Sequence, residues 1–245
     1  MYYLSALGTG DGLWKFLDGQ ATEIWRGSQG ALLEPAAVSP DGLRLAIILR
    51  KGSRRTLTIL AADGTGGRAV AESIDVSSTV DWSPDGNWIV AGGRDSGGEG
   101  LFRIPVHGGD PERVAHGMAH APVWSPAGDL IAYAGDNVGG HAPLLAVRPD
   151  GTPVELPDLQ AIPAPGGSAR FVPDGSALVF LRGARARDFW RLDLPSMQVR
   201  QLTNIATETD LGDIGSFDVT SDGRRIIFDR QRDNSDIRLI DLPAR

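Results

Sequence analysis

Short apolar segments separated by polar turns follow one another along the whole chain. Five of them come directly after a turn, at Leu45–Leu49, Ile89–Ala91, Leu130–Ala134, Leu178–Leu181 and Ile226–Phe228. Glycine, proline or Asx-Gly pairs interrupt the chain before a 3.6-residue apolar period can continue for three turns, so helices are not expected. Near-continuous apolar runs of this length are typical of strands covered on both faces. The pattern predicts an all-β fold.

The turns before these segments share one phrase. It occurs as Ala-Val-Ser-Pro-Asp-Gly, Asp-Trp-Ser-Pro-Asp-Gly, Val-Trp-Ser-Pro-Ala-Gly, Arg-Phe-Val-Pro-Asp-Gly and Asp-Val-Thr-Ser-Asp-Gly. Proline presets φ, aspartate bonds nearby amides and glycine adopts positive φ, so the phrase predicts a tight turn between two strands. The turn residues are Pro40, Asp41, Gly42, Pro84, Asp85, Gly86, Pro126, Gly128, Pro173, Asp174, Gly175, Asp222 and Gly223.

The spacing of the phrase predicts the architecture. Its glycines, at 42, 86, 128, 175 and 223, are 44, 42, 47 and 48 residues apart, which suits one four-stranded propeller blade per repeat. A third strand and a more polar outer strand follow most of the apolar segments. We therefore predict one six-bladed β-propeller domain over 1–245, with repeats at approximately 1–33, 34–77, 78–119, 120–166, 167–213 and 214–245.

The first and last blades are predicted to be incomplete. Tyr2–Leu7, Leu13–Leu17 and Thr22–Trp25 align with the second, third and outer strands of a blade, while the last repeat stops after its third strand at Ile237–Leu242. The two missing strands would be contiguous in a longer chain running into Tyr2, and we expect such an upstream segment. An open blade edge would otherwise favour dimerisation.

Composition narrows the classes of partner and compartment. The net charge of −7 disfavours nucleic acid, because binding to phosphates needs clustered lysine and arginine. No run approaches the ~20 apolar residues of a membrane span, so membrane insertion is not expected. The N-terminus shows no basic region followed by an apolar one, and the absence of cysteine does not assign a compartment, so localisation stays open.

The repeats resemble a known family. Ser-Pro-Asp-Gly together with Asp188-Phe-Trp-Arg-Leu-Asp-Leu194 and Val199-Arg-Gln-Leu-Thr203 is similar to the TolB-type, WD40-like (PD40) propellers over essentially all of the chain. The segment 234–242 resembles the end of propeller regions that follow bacterial serine/threonine kinase or regulatory domains. The resemblance implies a recognition or sensory module of a larger bacterial protein, with a periplasmic or other extracytoplasmic location among the compartments it suggests.

One loop face is predicted to carry the binding site, because blades place their second-to-third-strand loops and their crossovers on the same side. Two loops there are cationic, and Glu208, Asp210 and Asp213 lie in an acidic crossover. Such a face, with one positive and one negative region, could orient a charged partner. The simpler interpretation of these charged residues is that they lie in solvated loops and only maintain solubility. The cationic candidates are Arg50, Lys51, Arg54, Arg55, Arg182, Arg185 and Arg187.

His116, His120 and His141 belong to segments expected on the same face and complete the set of binding candidates. They could form an imidazole metal site or an acid–base pair, but the spacing matches no metalloprotease motif, and we predict neither a metal nor a cofactor. Asp229, Asp233, Asn234 and Asp236 do not have the spacing of a calcium loop.

The sequence favours a non-catalytic module that recognises a protein or peptide, and no catalytic residue is assigned. Nucleophile elbows, His-Glu-x-x-His and kinase motifs do not occur. Two alternatives remain: a propeller lyase or hydrolase that uses the three histidines with an acidic partner, and a purely architectural domain. Enzymatic activity is thus an open question on which the sequence leans towards no.

Overall fold

In the computed structural model, the described residues are 2–7, 10–27, 30–32, 34–161, 167–183, 187–205, 214–230 and 236–241. Regular structure in these ranges is entirely antiparallel β-sheet apart from a single 3-10 residue, which confirms the all-β prediction. No helix in the described ranges has the length and hydropathy needed to cross a membrane. The chain divides into two compact units, Met1–Ala119 and His120–Arg245.

The first unit contains three sheets within the described residues. The first sheet has the order β1-β2-β3, the second β4-β6-β7-β8 with β5 also paired to β6, and the third β12-β11-β10-β9. The strands are β1 (Tyr2–Leu7), β2 (Gly10–Leu17), β3 (Gln20–Arg26), β4 (Ala31–Leu32), β5 (Ala37–Val38), β6 (Arg44–Lys51), β7 (Arg54–Ala61), β8 (Arg68–Val70), β9 (Asp75–Trp82), β10 (Trp88–Asp95), β11 (Gly98–Pro105) and β12 (Glu112–His116).

The second unit also contains three sheets in the part that the structure describes. The fourth sheet has the order β13-β14-β15-β16 with β17 also paired to β15, the fifth β18-β19-β20-β21, and the sixth β22-β23-β24. The strands are β13 (His120–Trp124), β14 (Ile131–Ala134), β15 (Ala142–Val147), β16 (Pro153–Val154), β17 (Gln160–Ala161), β18 (Ala169–Phe171), β19 (Ala177–Arg182), β20 (Asp188–Asp193), β21 (Gln198–Gln201), β22 (Phe217–Val219), β23 (Arg225–Arg230) and β24 (Asp236–Asp241).

Proline interrupts two edge strands. Pro35 separates β4 from β5, which both pair with β6, and Pro157 lies between β16 and β17, which both pair with β15. Proline has no N–H to donate to a ladder, so each edge is built from two short pieces. In the fourth sheet the outer strand β16 therefore ends at Val154.

The strand that follows the turn phrase is buried on both faces in the second and fifth sheets, where it is β6 and β19. Leu45 and Ile47 of β6 belong to the core shared with the first sheet, while Ala46 and Ile48 belong to the core shared with the third. In the second unit, Phe180 of β19 packs in the core shared with the fourth sheet, and alternate positions of the same strand pack in the core shared with the sixth. Burial on both faces explains the near-continuous apolar sequence of these strands.

Candidate functional site

Each of the five phrases forms a turn that places the next strand. The glycine N–H donates to a carbonyl three residues earlier, from Gly42 to Ser39 at 2.8 Å and from Gly86 to Ser83 at 2.9 Å in the first unit. Ser83 Oγ also donates to Asp85 Oδ1 at 2.5 Å, and Trp88 N donates to Ser83 Oγ at 2.9 Å. The pKa of the Asp85 carboxyl is lowered below its ordinary value, mainly because Ser83 donates to it and secondly because the backbone amide of Asn87 does so.

Two turns lack the serine or the aspartate of the phrase, and in each a neighbouring residue forms the serine–aspartate hydrogen bond instead. Where Ala127 replaces the aspartate, Ser125 Oγ donates to Asp129 Oδ1 at 2.7 Å. Where Val172 replaces the serine, Ser176 Oγ donates to Asp174 Oδ1 at 2.6 Å. The five turns therefore share one geometry and give the hairpins that follow them a common starting point.

The loop Arg50–Arg55, which we call the cationic hairpin, joins β6 to β7 through Gly52 and Ser53. Its last two arginines bind the segment that follows the second sheet: Arg54 Nη2 donates to Glu72 O in the connection to the third sheet, and Arg55 Nη1 donates to Ser77 O of β9 at 2.7 Å. The Arg55 amide also donates to Asp75 Oδ1 at 2.7 Å. These contacts use two of the predicted binding residues to fix the hairpin.

Arg50 and Lys51 lie on the other limb of the cationic hairpin and are exposed. The ladder pairs Arg50 with Arg55 and Lys51 with Arg54, so the exposed cations stand directly opposite the anchored ones. A partner that meets this tip finds two positive charges on a backbone that is already held in place. Such preorganisation lowers the entropic cost of binding.

The second arginine group is only partly described, since Arg185 lies outside the described residues. Arg182 is exposed and its guanidinium carbon stands 5.0 Å from the ring centroid of Trp190. Arg187 Nη1 donates to Ile214 O at 2.7 Å, which joins the residue before β20 to the segment before β22. The two groups thus each contain at least one anchored and at least one exposed arginine.

The three candidate histidines lie on separate segments. His116 ends β12 in the first unit and is exposed, whereas half-buried His120 begins β13 and half-buried His141 bridges Val138 in the second unit. No group of three or more His, Cys, Asp or Glu side chains in the described ranges could hold a metal ion. Glu208, Asp210, Asp213, Asp233 and Asn234 fall outside those ranges, so a common loop face stays a prediction.

Buried polar groups near the loops were not predicted from the sequence. Asp188, 5% exposed, accepts hydrogen bonds from Thr203 Oγ1 at 3.0 Å and from the Ile205 amide at 2.6 Å. Arg113 pairs with Asp95, donates to Glu99 O at 2.7 Å and stands 4.6 Å from the Phe102 centroid. A charged residue inside or beside an apolar strand was the only available signal.

Glu34 is a further unpredicted group. It lies between β4 and β5, half-buried, and desolvation raises the pKa of its carboxyl to about 7 despite the opposing charge of Arg55. Its only sequence signal is a carboxylate flanked by apolar residues and Pro35. Since this pKa is close to neutrality, the charge beside Arg55 in the cationic hairpin changes with pH around pH 7.

Searches of protein-family models and of curated proteins gave no match. Solved structures do match. TolB from Acinetobacter baumannii superposes with a TM-score of 0.68 at 14% identity over 83% of this chain and 51% of that one. A putative TolB from Agrobacterium tumefaciens gives 0.67 at 17% identity over 91% and 80%.

An oligogalacturonate lyase in complex with manganese gives a TM-score of 0.65 at 16% identity over 95% of this chain and 68% of that one. This chain spans about half of the length of the Acinetobacter TolB. At identities this low the likeness shows the fold and not the activity. The chain therefore has the fold of the TolB-type β-propellers.

Proposed function

We propose that this chain is a non-catalytic recognition module, a six-bladed propeller with incomplete first and last blades that binds an acidic protein or peptide through the cationic hairpin. The observation that carries the proposal is the division of labour within Arg50–Arg55. Arg54 is bonded to Glu72 O in the neighbouring connection and Arg55 to Ser77 O of β9, and Arg50 and Lys51 are exposed opposite them.

The charge of the whole molecule would direct an acidic partner towards the cationic hairpin. A net charge of −7 repels acidic partners at most of the surface, so a local cationic tip would select both the partner and its orientation. Arg182 adds an exposed positive charge in the second unit. A module of this kind would serve a larger bacterial regulatory protein, as the TolB-like fold suggests.

Affinity capture with charge-reversed variants tests the proposal. Tagged wild-type protein, the double variant Arg50→Glu/Lys51→Glu and a matched control, Arg148→Glu/Arg200→Glu, are incubated with extract of the source cells and analysed by quantitative mass spectrometry. All four positions are exposed, and both variants change the net charge equally. Proteins retained by the wild type and the control but lost from the hairpin variant support the proposal.

Equal retention by all three proteins, or no protein retained specifically by the wild type, would contradict it. Far-UV circular dichroism of each variant establishes that the fold is intact. Because Arg54 and Arg55 hold the hairpin in place, they are left unchanged.

A second candidate, a propeller lyase, is favoured by the oligogalacturonate lyase among the structural neighbours. The test incubates the protein with oligogalacturonate and Mn²⁺ and follows formation of unsaturated products. Turnover lost in His120→Ala or His141→Ala, with the fold retained, would replace the recognition proposal. Absence of turnover with and without added metal leaves the recognition module as the better account.

A further inference from the structure

Eight Asp-Gly pairs occur in the sequence, and an aspartate followed by glycine is the aspartyl sequence that rearranges most readily to isoaspartate. Glycine has no Cβ to obstruct the approach of its own amide nitrogen to the aspartate carboxyl carbon, which begins this rearrangement. Asp11–Gly12 lies within β2, and the other seven pairs lie in turns. The reactivity of each pair then depends on how the fold holds the two reacting atoms.

In six of the seven turns, hydrogen bonds hold both reacting atoms. In the turn after β7, the Gly64 N–H donates to Ala61 O at 2.9 Å. The Asp63 Oδ1 accepts from the Thr65 amide at 3.0 Å and from Thr65 Oγ1 at 2.6 Å. The same two backbone bonds, from the glycine N–H and from the amide two residues after the aspartate, occur at Asp41, Asp85, Asp150, Asp174 and Asp222.

The seventh turn, Asp18–Gly19, is built differently. It has only two residues, with φ values of 51° and 78°, between the paired residues Leu17 and Gln20. The residues that flank a two-residue hairpin turn exchange their hydrogen bonds, so the ladder uses the Gln20 amide. Asp18 and Gly19 are exposed, and among the described residues neither the Asp18 carboxylate nor the Gly19 N–H has a hydrogen-bond partner.

We propose that Asp18 is a site of spontaneous isomerisation, at which the link to Gly19 moves from the α-carbonyl carbon to the side-chain carbon. Gly19 N attacks Cγ of the protonated carboxyl and loses its proton, and one water leaves as a succinimide ring closes. A second water then attacks the α-carbonyl carbon. The bond from that carbon to Gly19 N breaks, the nitrogen regains a proton, and the α-carbon now carries a free carboxyl group.

The rearrangement is balanced and has a structural consequence. One water leaves and one is added, so the mass of the chain is unchanged and no oxidant or reductant is needed. The backbone gains one methylene group within a turn of two residues, which alters the spacing that pairs Leu17 with Gln20. This inference does not depend on the acidic partner proposed for the cationic hairpin.

Hydrogen bonding sets the expected difference in rate. Attack at Asp63 must first release the carboxylate from Thr65 and the Gly64 N–H from Ala61 O, whereas Asp18 has neither bond to break. Bonds from the Thr65 hydroxyl and then from its amide also lower the pKa of the Asp63 carboxyl, which reduces the fraction of the reactive acid. Since one hydrogen bond to a charged group corresponds to about a tenfold change in rate, Asp18 should react at least tenfold faster.

Peptide mapping of the 245-residue protein tests the proposal. The protein is incubated at neutral pH below its unfolding temperature, digested in mild acid, and analysed by electron-transfer mass spectrometry, which distinguishes isoaspartate from aspartate. A parallel incubation in urea removes the fold. Isoaspartate should accumulate in the folded protein at least about tenfold faster at position 18 than in the other six turns. In urea the seven pairs should react at similar rates, because each consists of the same two residues.

Two asparagine variants give a matched comparison with a second readout. Asp18→Asn and Asp63→Asn each place an Asn-Gly pair in the turn after a third strand, where closure of the same ring releases ammonia and the later gain of water is measured as a change in intact mass. Asp18→Asn should deamidate at least about tenfold faster than Asp63→Asn. Far-UV circular dichroism establishes that both variants are folded.

Three results would overturn the proposal. The first is isomerisation at Asp18 in the folded protein that is no faster than in the other six turns. The second is an equal rate of deamidation in Asp18→Asn and Asp63→Asn. The third is an advantage of Asp18 that persists unchanged in urea, because the neighbouring sequence and not the fold would then explain it.

Discussion

Truncation of Trp82 offers a quantitative test of how the second and third sheets are joined. The indole is 4% exposed in the core of the first unit, its Nε1 donates to Ala37 O at 3.0 Å, and the Arg44 guanidinium carbon stands 4.9 Å from its ring centroid. Trp82→Ala removes the packing, the hydrogen bond and the cation–π contact together. We expect it to lower the free energy of unfolding by about 3–5 kcal/mol.

Intermediate variants divide this loss between its parts. Trp82→Phe keeps most of the packing but leaves Ala37 O without its donor, and should cost about 1–2 kcal/mol. Arg44→Met combined with Trp82→Ala in a double-mutant cycle should give a coupling of about 0.5–1 kcal/mol, since either change removes the cation–π contact and Arg44 is partly exposed.

Urea unfolding followed by far-UV circular dichroism measures these differences, and amide hydrogen exchange assigns them to a region. The protection lost in Trp82→Ala should be concentrated in Ala37–Val106, which includes the strands on both sides of the indole. If Trp82→Ala lowered the free energy of unfolding by less than about 1 kcal/mol, instead of the expected 3–5 kcal/mol, the packing of this side chain between the sheets would be refuted.

Three further predictions concern single positions. Glu34→Gln should stabilise the protein at pH 8 by about 1–2 kcal/mol, after allowance for solvent screening, and should have little effect below pH 4.5. The reason is that a carboxyl whose folded pKa is raised to about 7 contributes stability at low pH that is lost as the pH rises to 7. Urea unfolding curves at the two pH values check this. Gly64→Ala should destabilise the fold by about 3 kcal/mol, since a Cβ at this φ of +86° would lie 1.8 Å from Ile24 O. Gly66→Ala, at a φ of +69° with nothing within 4 Å of the added Cβ, should cost about 1 kcal/mol. Equal losses of unfolding free energy for the two variants in urea would contradict the close approach of Gly64 to Ile24. Asp129→Ala should lower stability by about 1 kcal/mol and Ala127→Asp should restore it in the same chain, and thermal unfolding that shows no rescue would contradict the exchange of hydrogen-bond partners in this turn.

Local chemistry explains what the sequence could predict. The turn phrase works within six residues, so proline, aspartate and glycine indicate the hairpin wherever they occur, and the doubly buried strand after it follows from its apolar run. Even the departures are local, because Asp129 and Ser176 lie within the same turns as the residues they replace functionally.

The anchoring of the loops depends on contacts between sheets and was beyond the sequence. Whether Arg55 faces solvent or Ser77 O is decided by how the third sheet lies beside the second, which no local pattern of residues specifies. The same holds for the burial of Glu34 and for Arg113 above Phe102. Charged residues in loops therefore indicated a candidate surface, but not which of its cations are bonded to the neighbouring sheet.

The most direct test of the account is the dissociation constant of one captured partner for the wild type and the two charge-reversed variants, measured at two salt concentrations. We expect Arg50→Glu/Lys51→Glu to weaken binding at least tenfold and Arg148→Glu/Arg200→Glu to change it less than twofold, and we expect added salt to narrow the difference. Equal dissociation constants for the two variants at low salt would contradict recognition through the cationic hairpin.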